Sequence, residues 1–379
     1  MTAEVPTKRR PSRWHRPLWW TNLALALVLV VAYASTKVDP QKLWPLAFFG
    51  MAYPFVLPFH AFFLVWWGMF RPKRMLVSAL AIALGWGHVG EYFQMFGRSD
   101  APLDIAGEPF KVMSYNVRLF DLYNWNNNAQ TRNEIFDVIA FEHADILCTQ
   151  EFFKADDGFF NTKDTLMRSF GYSGCHEEYT HHTKRGHHFG IATFSSHPIV
   201  GRGSISFPDE LNNLCIWTDI LVRQDTIRVY NAHLASIRFG DRDYRFMKDL
   251  DTDTHSDSLR RGGLRIMNLL RNAFIRRADE VRMIKAHMAR SPHPVLYCGD
   301  MNDTPMSYSY AYLAEGLTDA FIESGRGVGH TYIGAFPSFR IDHILHAPEL
   351  MSWNFRTLPD RLSDHRPIVT EMAFRKTAS

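Results

Sequence analysis

The chain has little cysteine. There are four in 379 residues, Cys148, Cys175, Cys215 and Cys298. Their spacing matches no thiolate metal site, which excludes a cysteine-ligated zinc. Cys148 and Cys298 fall in short apolar runs, where a thiol acts as a small core residue. Cys175 and Cys215 could pair only in an oxidising compartment. Net charge is also small, +3, so composition alone does not mark a nucleic-acid binder. No internal repeat or low-complexity tract is present. Acids are scarce over residues 18–97, where only Asp39 and Glu91 occur alongside six of the ten tryptophans.

What fills that region is apolar. Leu18 to Ala34 is long enough to cross a bilayer, which takes roughly 20 residues. Leu43 to Phe70 reads as a second span, kinked by Pro45, Pro54 and Pro58, which neighbouring helices can tolerate. Met75 to Phe96 reads as a third, weakened by Gly85, Gly87 and Gly90 and by His88 and Glu91. Trp19, Trp20, Trp44, Trp66 and Trp67 lie near the span ends, as interfacial aromatics do. A cleavable signal peptide is disfavoured because two more apolar stretches follow the first. Basic residues cluster at 1–17 and at Arg71-Pro72-Lys73-Arg74, against only Lys37 and Lys42 in the intervening link. The positive-inside rule then puts the amino terminus in the cytoplasm. Three crossings place the remainder outside an inner membrane, after a linker at 98–109 rich in turn residues.

Beyond residue 110 the informative stretch is PVLYCGDMNDTP, Pro294 to Pro305. The run Val295–Cys298 has the length of a buried strand. It ends in Asp300 and Asn302, two oxygen-bearing side chains on one side of the chain. Open α/β sheets keep their chemistry at such strand ends. Five other places follow suit. Ser114-Tyr115-Asn116, Gln150-Glu151 and Asn231-Ala232-His233 each end an apolar run. Asp342 opens one, and Ser363-Asp364-His365 precedes the last.

Taken in order, this set resembles the endonuclease/exonuclease/phosphatase superfamily over roughly residues 110–375. That superfamily includes deoxyribonucleases, abasic-site endonucleases, tyrosyl-DNA phosphodiesterases, neutral sphingomyelinases and inositol polyphosphate 5-phosphatases. The resemblance implies an α/β fold, a four-layer sandwich of two β-sheets flanked by helices. It also implies phosphate-ester hydrolysis with a divalent metal.

Residue types suggest roles. Glu151 is the best ligand for a hard cation, which takes oxygen donors. Asn116 resembles the family's asparagine beside that ligand and can add a neutral carbonyl oxygen to the metal, and Asp364 belongs to the metal or its water shell. Magnesium or manganese is expected rather than zinc. An unperturbed imidazole titrates near neutrality, so His365 suits a general base. Asp342 matches the family carboxylate that fixes this imidazole's tautomer; a salt bridge to Arg340 is the alternative. Asp300 and Asn302 would position water and the phosphoryl group, with Asp300's share between nucleophile and metal left open. His233 is present in deoxyribonucleases, sphingomyelinases and tyrosyl-DNA phosphodiesterases but lacking in abasic-site endonucleases. It would donate to the developing phosphorane charge.

Two further stretches carry expectations. Residues 172–188 hold His176, His181, His182, His187 and His188; a polar loop is favoured over a zinc site, and Glu177 or Glu178 could support an active-site histidine. Residues 237–292 form a long insert, with an acidic part at Asp249–Asp257 and then a basic helix over Leu264–Ala289. Arg271, Arg276 and Arg277 of that helix are candidates for binding anionic phosphate at the site's mouth. The reading is therefore a membrane-anchored, metal-dependent phosphoesterase acting on a lipid-linked substrate. A nuclease and an inactive membrane-tethered binding module are the alternatives.

Overall fold

The computed structural model describes residues 15–208, 213–237, 239–240, 243, 246, 256–334 and 337–376. The extreme amino terminus and most of the acidic part of the insert lie outside the described residues.

Two six-stranded sheets form the catalytic part. The first contains β1 (Ile105–Asn116), β2 (Ile146–Ala155), β3 (Gly174–His182), β4 (His187–Ser195), β11 (Leu350–Thr357) and β12 (Ile368–Arg375), in the order β11-β12-β1-β2-β4-β3. The second contains β5 (Ile199–Ser206), β6 (Leu214–Val222), β7 (Asp225–His233), β8 (Val295–Asp300), β9 (Thr318–Asp319) and β10 (Asp342–His346), in the order β5-β6-β7-β8-β10-β9. Each sheet has one parallel pair at its centre, β1 with β2 and β7 with β8. The other pairings are antiparallel.

Strand alternation builds the layers. Val112, Ile146, Cys148, Val229, Leu296 and Cys298 point between the sheets into one buried core. Their neighbours Met113, Tyr115 and Leu147 face outward onto α6 (Asn128–Glu142) and α7 (Thr162–Ser169), packing with Ile135, Ile139 and Leu166. Tyr230, Ala232 and Tyr297 face the other way, onto Val281, Ile284 and Met288 of α8 (Ser256–Met288). Both faces of each central strand are thus covered, giving the four-layer sandwich.

The cysteines follow this layering. Cys175 packs on the outer core of the first sheet and Cys215 in the outer core of the second, so two sheets separate them and they cannot pair. The histidine-rich stretch is a hairpin, not a loop: β3 and β4 pair through Glu178, Tyr179, Gly190 and Ile191.

The amino-terminal region differs from three spans. Two helices are long and apolar enough to cross a membrane, α1 (His15–Ser35) and α3 (Pro45–Phe70), joined through α2 (Pro40–Leu43). At 1.5 Å per residue α1 is about 31 Å long, a bilayer's hydrocarbon thickness. α3 stays helical through Pro54 and Pro58. The third stretch is broken at Gly85 into α4 (Pro72–Leu84) and α5 (Trp86–Tyr92). A Cβ at Gly85 would lie 2.0 Å from the Tyr33 ring, so the close approach of α1 fixes glycine there. A 13-residue α4 is only about 20 Å long.

These helices pack as a bundle bound through a buried chain in which Ser78 donates to Asn22 at 2.8 Å and meets His60 at 3.1 Å. Its two ends differ. At one, Arg74 donates to the His15 carbonyl and lies over Trp19 and Trp67. At the other, the bundle sits on the catalytic part. Ser35 Oγ donates to the Met306 carbonyl at 3.0 Å, Gln41 donates to Asp279, and Phe48 meets Phe274 edge-on. The stretch expected as linker is docked as well, because β1 begins at Ile105 and Arg98 accepts from the Asn354 N–H.

Candidate active site

Strand register brings the site together. In the second sheet Asp300 lies beside His233 of β7 and beside Asp342 of β10, so three chemical side chains share one row. In the first sheet Asn116 is level with Gln150. The carboxyl ends of both parallel pairs therefore converge, as open α/β sheets dictate.

Two residues sit in left-handed backbone. Glu151 has φ 47° at a bulge between Thr149 and Phe152, where the β2–β4 ladder slips by one. A bulge of this kind re-aims a side chain, and here it turns Glu151 out of the strand pleat. Asn302 has φ 53°, and its N–H donates to Asp300 Oδ1 at 2.8 Å. Such conformations cost about 1–3 kcal/mol each and persist where surrounding structure fixes them.

Asn116 is fully buried, and its amide donates to Glu151 Oε1 at 3.2 Å and Asp300 Oδ2 at 3.0 Å. His233 Nε2 stands 3.8 Å from Glu151 and 3.7 Å from Asp300. His365 Nδ1 is 2.9 Å from Asp342 Oδ2, and its Nε2 is 3.6 Å from Asp300 Oδ2. Asp342 does not pair with Arg340; that guanidinium bonds Asp319 at 2.7 Å. The Asp342 backbone is held by Thr331 Oγ1. Ser363 ties the loop before His365 to the first sheet, donating to the Asn116 carbonyl and accepting from the His365 N–H.

Burial and neighbours set the electrostatics. Desolvation pushes the Asp300 carboxyl up to about 6, against the pull of His365 and His233. Burial opposes charge on His365 too, but Asp342 and Asp300 outweigh it and raise the imidazole well above its ordinary value.

Glu151, Asp300, Asn302, Asp364 and His365 line one cavity of about 590 Å³. Two donor sets there suit a cation. Glu151 and Asp364 offer carboxylate oxygens to the cavity, the donors that magnesium and manganese take. Asp300, Asp342 and His365 form a tighter, buried group, with one ligand atom from each within 4.8 Å of the others. The residues thus fit a hard divalent ion.

Elsewhere the expectations change. Among the described residues, the histidines of β3 and β4 make no such group. His182 meets His188, which bonds Asp156, and His176 bonds Thr218. Glu177 pairs with Lys163, and Glu178 stands 3.8 Å from His176; neither reaches His233 or His365. The three arginines of α8 do not form one patch. Arg277 is buried in the cavity wall, 3.6 Å from Asp303. Arg271 is exposed and lies over Trp44, and Arg276 is half-buried. Steps of five and six residues put these side chains on different helix faces.

Other neighbours were not evident from sequence. Arg118 lies 3.5 Å from Asp364 and over Trp125. The Tyr332 ring packs edge-on against His365 at 5.3 Å. Behind the site Gln150 donates to Asn231 at 2.8 Å, joining the sheets. The spacing of Arg118 two residues beyond Asn116 was the one available signal. The largest surprise is the cavity's far wall, which contains Phe48, Met51, Ala52 and Phe55 of α3.

Comparison with known proteins agrees with this geometry. The model of the Endonuclease/Exonuclease/phosphatase family matches residues 113–365, and a second, described as "Domain of unknown function (DUF8431)", matches residues 15–92. No curated protein matches the chain. Among solved structures, a mannosyl-6-phosphatase from Bacteroides thetaiotaomicron is 18% identical with TM-score 0.51, covering 70% of this chain and 100% of its own. The human Nocturnin catalytic domain is 19% identical with TM-score 0.50, covering 72% and 96%. A humanized D. rerio TDP2 is 14% identical with TM-score 0.50, covering 70% and 98%. At these identities the structures establish the shared fold, while the family match spans two-thirds of the sequence. The chain belongs to the endonuclease/exonuclease/phosphatase family and, as a member, is a hydrolase of phosphate esters.

Proposed function

We propose that the chain is a membrane-anchored, metal-dependent phosphodiesterase whose substrate is a lipid-linked phosphoester. One observation carries the lipid assignment: the wall of the cavity that holds Asp300 and His365 includes α3, the second apolar helix. A substrate reaching this site meets a membrane helix beside the polar residues. The arginines expected to hold anionic phosphate, on lipid head groups or on a polyanion, are dispersed, so they support neither the lipid nor the nuclease reading.

In this reading Glu151 and Asp364 hold the cation, and Asn116 places Glu151 and Asp300 by donating to both. Bound magnesium or manganese would polarise a phosphoryl oxygen and ease departure of the leaving group. His365 takes the proton of the attacking water at Nε2. Asp342 fixes its tautomer through Nδ1 and stabilises the imidazolium that forms. Asp300, 3.6 Å from Nε2, orients that water together with Asn302. His233 donates to the phosphoryl oxygen on which charge develops.

The bundle's polarity supports an orientation in the membrane. Arg71, Lys73 and Arg74 lie at the end remote from the catalytic part, which positive-inside bias assigns to the cytoplasm. α4 and α5 lead the chain from that end back to the catalytic part, which this orientation puts outside the inner membrane.

The test uses the full chain in lipid nanodiscs. Phospholipid and sphingolipid phosphoesters, plasmid DNA and a soluble phosphodiester are offered with magnesium, manganese or zinc after chelation. Turnover of a lipid phosphoester restored by magnesium or manganese is expected. Restoration by zinc alone, or turnover of DNA without the lipid esters, overturns the reading.

A further inference from the structure

We infer that the α3 side of the catalytic cavity is a binding site for one apolar chain of the substrate, entered sideways from the bilayer. The inference rests on the phosphodiesterase reading above and adds which part of the substrate the membrane helix recognises.

Phe48, Met51, Ala52 and Phe55 are spaced i, i+3, i+4 and i+7, so they occupy one face of α3. That face lines the cavity, where the outward surface of a span ordinarily meets lipid. Opposite it, the catalytic part supplies aromatic partners. Phe274 of α8 meets Phe48 with centroids 5.4 Å apart, and Phe339 meets Phe55 at 5.8 Å, both edge-on. The apolar half of a 590 Å³ cavity is therefore built jointly by the membrane helix and the catalytic part.

The stripe does not stop at the cavity. Phe59 and Phe62 continue the same helix face and are 53% and 48% exposed, as Phe55 is at 48%. Phe62 lies fourteen residues beyond Phe48, about 21 Å along the helix. An aromatic track thus runs from beside the polar residues toward the middle of the bilayer. A phosphate at Asp300 and His365 lies at the polar end of this track, and a hydrocarbon chain attached to it has a continuous apolar path back into the membrane. A soluble sugar phosphate would leave that wall unpaired.

Moving a chain from bilayer to cavity changes its surroundings little, so the gain is in selection and alignment. It becomes measurable with soluble esters, where each buried methylene contributes about fourfold. The experiment uses the full chain in nanodiscs and sub-micellar alkyl p-nitrophenyl phosphates from ethyl to octyl. Partition into the disc favours long esters for every variant alike. The diagnostic quantity is the octyl-to-ethyl ratio of kcat/KM in the unmodified chain, compared with that ratio in Ala52→Trp, which fills the cavity. Leu80→Trp, on an exposed face of α4, controls for a bulky change in the bundle.

We expect Ala52→Trp to lower the ratio at least about tenfold and Leu80→Trp to leave it unchanged. Phe339→Ala, on the catalytic part, removes the opposite wall without altering the helix and should lower the ratio as well. Equal ratios in the unmodified chain and in Phe339→Ala overturn the chain site while the phosphodiesterase reading stands. No hydrolysis of any ester with magnesium or manganese overturns both.

Discussion

Asp342→Asn isolates the hydrogen bond that orients the candidate base. The side chains are isosteric, and the Asp342 backbone stays anchored by Thr331 Oγ1 at 3.1 Å. The change therefore acts on one contact, Asp342 Oδ2 to His365 Nδ1 at 2.9 Å. A carboxylate there accepts the Nδ1 proton and leaves Nε2 free to take one from water. A carboxamide can instead donate its N–H to Nδ1, which favours the opposite tautomer and blocks Nε2 with a proton. Losing general base catalysis costs about 10²–10⁴ in rate, and tautomer reversal in a comparable triad costs about 10⁴. We expect kcat to fall by about a thousandfold, within that range, with KM little changed. Activity should sink nearly to the level of His365→Ala. Removing Asp342 also removes a main support of the imidazolium. His365 then loses its proton at lower pH, and the ascending limb of the pH–rate profile shifts that way. The assay is stopped-flow hydrolysis of a soluble phosphodiester by the full chain in nanodiscs, from pH 5 to 9. A variant within tenfold of the unmodified rate, with an unmoved limb, would remove Asp342 from the mechanism and His365 with it.

Two other expectations address placement and stability. Protease added to intact spheroplasts should digest the region after about Arg98; full protection until lysis would place the catalytic part in the cytoplasm. Asp319→Asn breaks a fully buried pair with Arg340, in which the carboxylate also accepts from Tyr310 and from the Phe321 N–H. Breaking such a pair costs about 3–5 kcal/mol, so the apparent Tm at pH 7 should fall by roughly 6–20 °C. Burial opposes the Asp319 charge, but Arg340 and His343 outweigh it and hold the carboxyl well below its usual range. The stability it confers is present at neutral pH and is lost only as pH falls below the ordinary carboxylate value. The melting temperatures of the two proteins should therefore converge in strong acid, and a constant gap would contradict the charge-based account.

Much of the catalytic part was legible because its signals are local. Apolar runs of strand length ending in Asn116, Glu151, His233 and Asp300 need only alternation and a stop. The layered sandwich follows once both faces of those runs are apolar. The misreadings share a different cause. The hairpin of β3 and β4 looks like a polar loop because its edge strand is half-exposed and carries His176, Glu177 and Glu178 among few aliphatic residues. The third span looked continuous because its hydropathy does not record that Tyr33 lies against Gly85. Arginines grouped along a helix look like a patch until helical geometry sends Arg277 inward and Arg271 outward.

The least legible feature is the one on which the proposed lipid substrate rests. Nothing in Phe48, Met51, Ala52 and Phe55 distinguishes a face turned to lipid from one turned to a cavity, since both demand apolar side chains. The distinction lies in contacts between residues more than two hundred positions apart, Ser35 with Met306, Phe48 with Phe274 and Phe55 with Phe339. Gly50 marks this docking: a Cβ there would lie 2.1 Å from the Met306 carbonyl oxygen and 2.3 Å from Ser35 Oγ. In sequence it is one more glycine in a span, where glycine is common anyway. Close packing of α3 on the loop after Asp300 and Asn302 couples this apolar helix to the candidate site. The apolar amino-terminal bundle is therefore part of the cavity's architecture, so removing it should open one wall of the cavity.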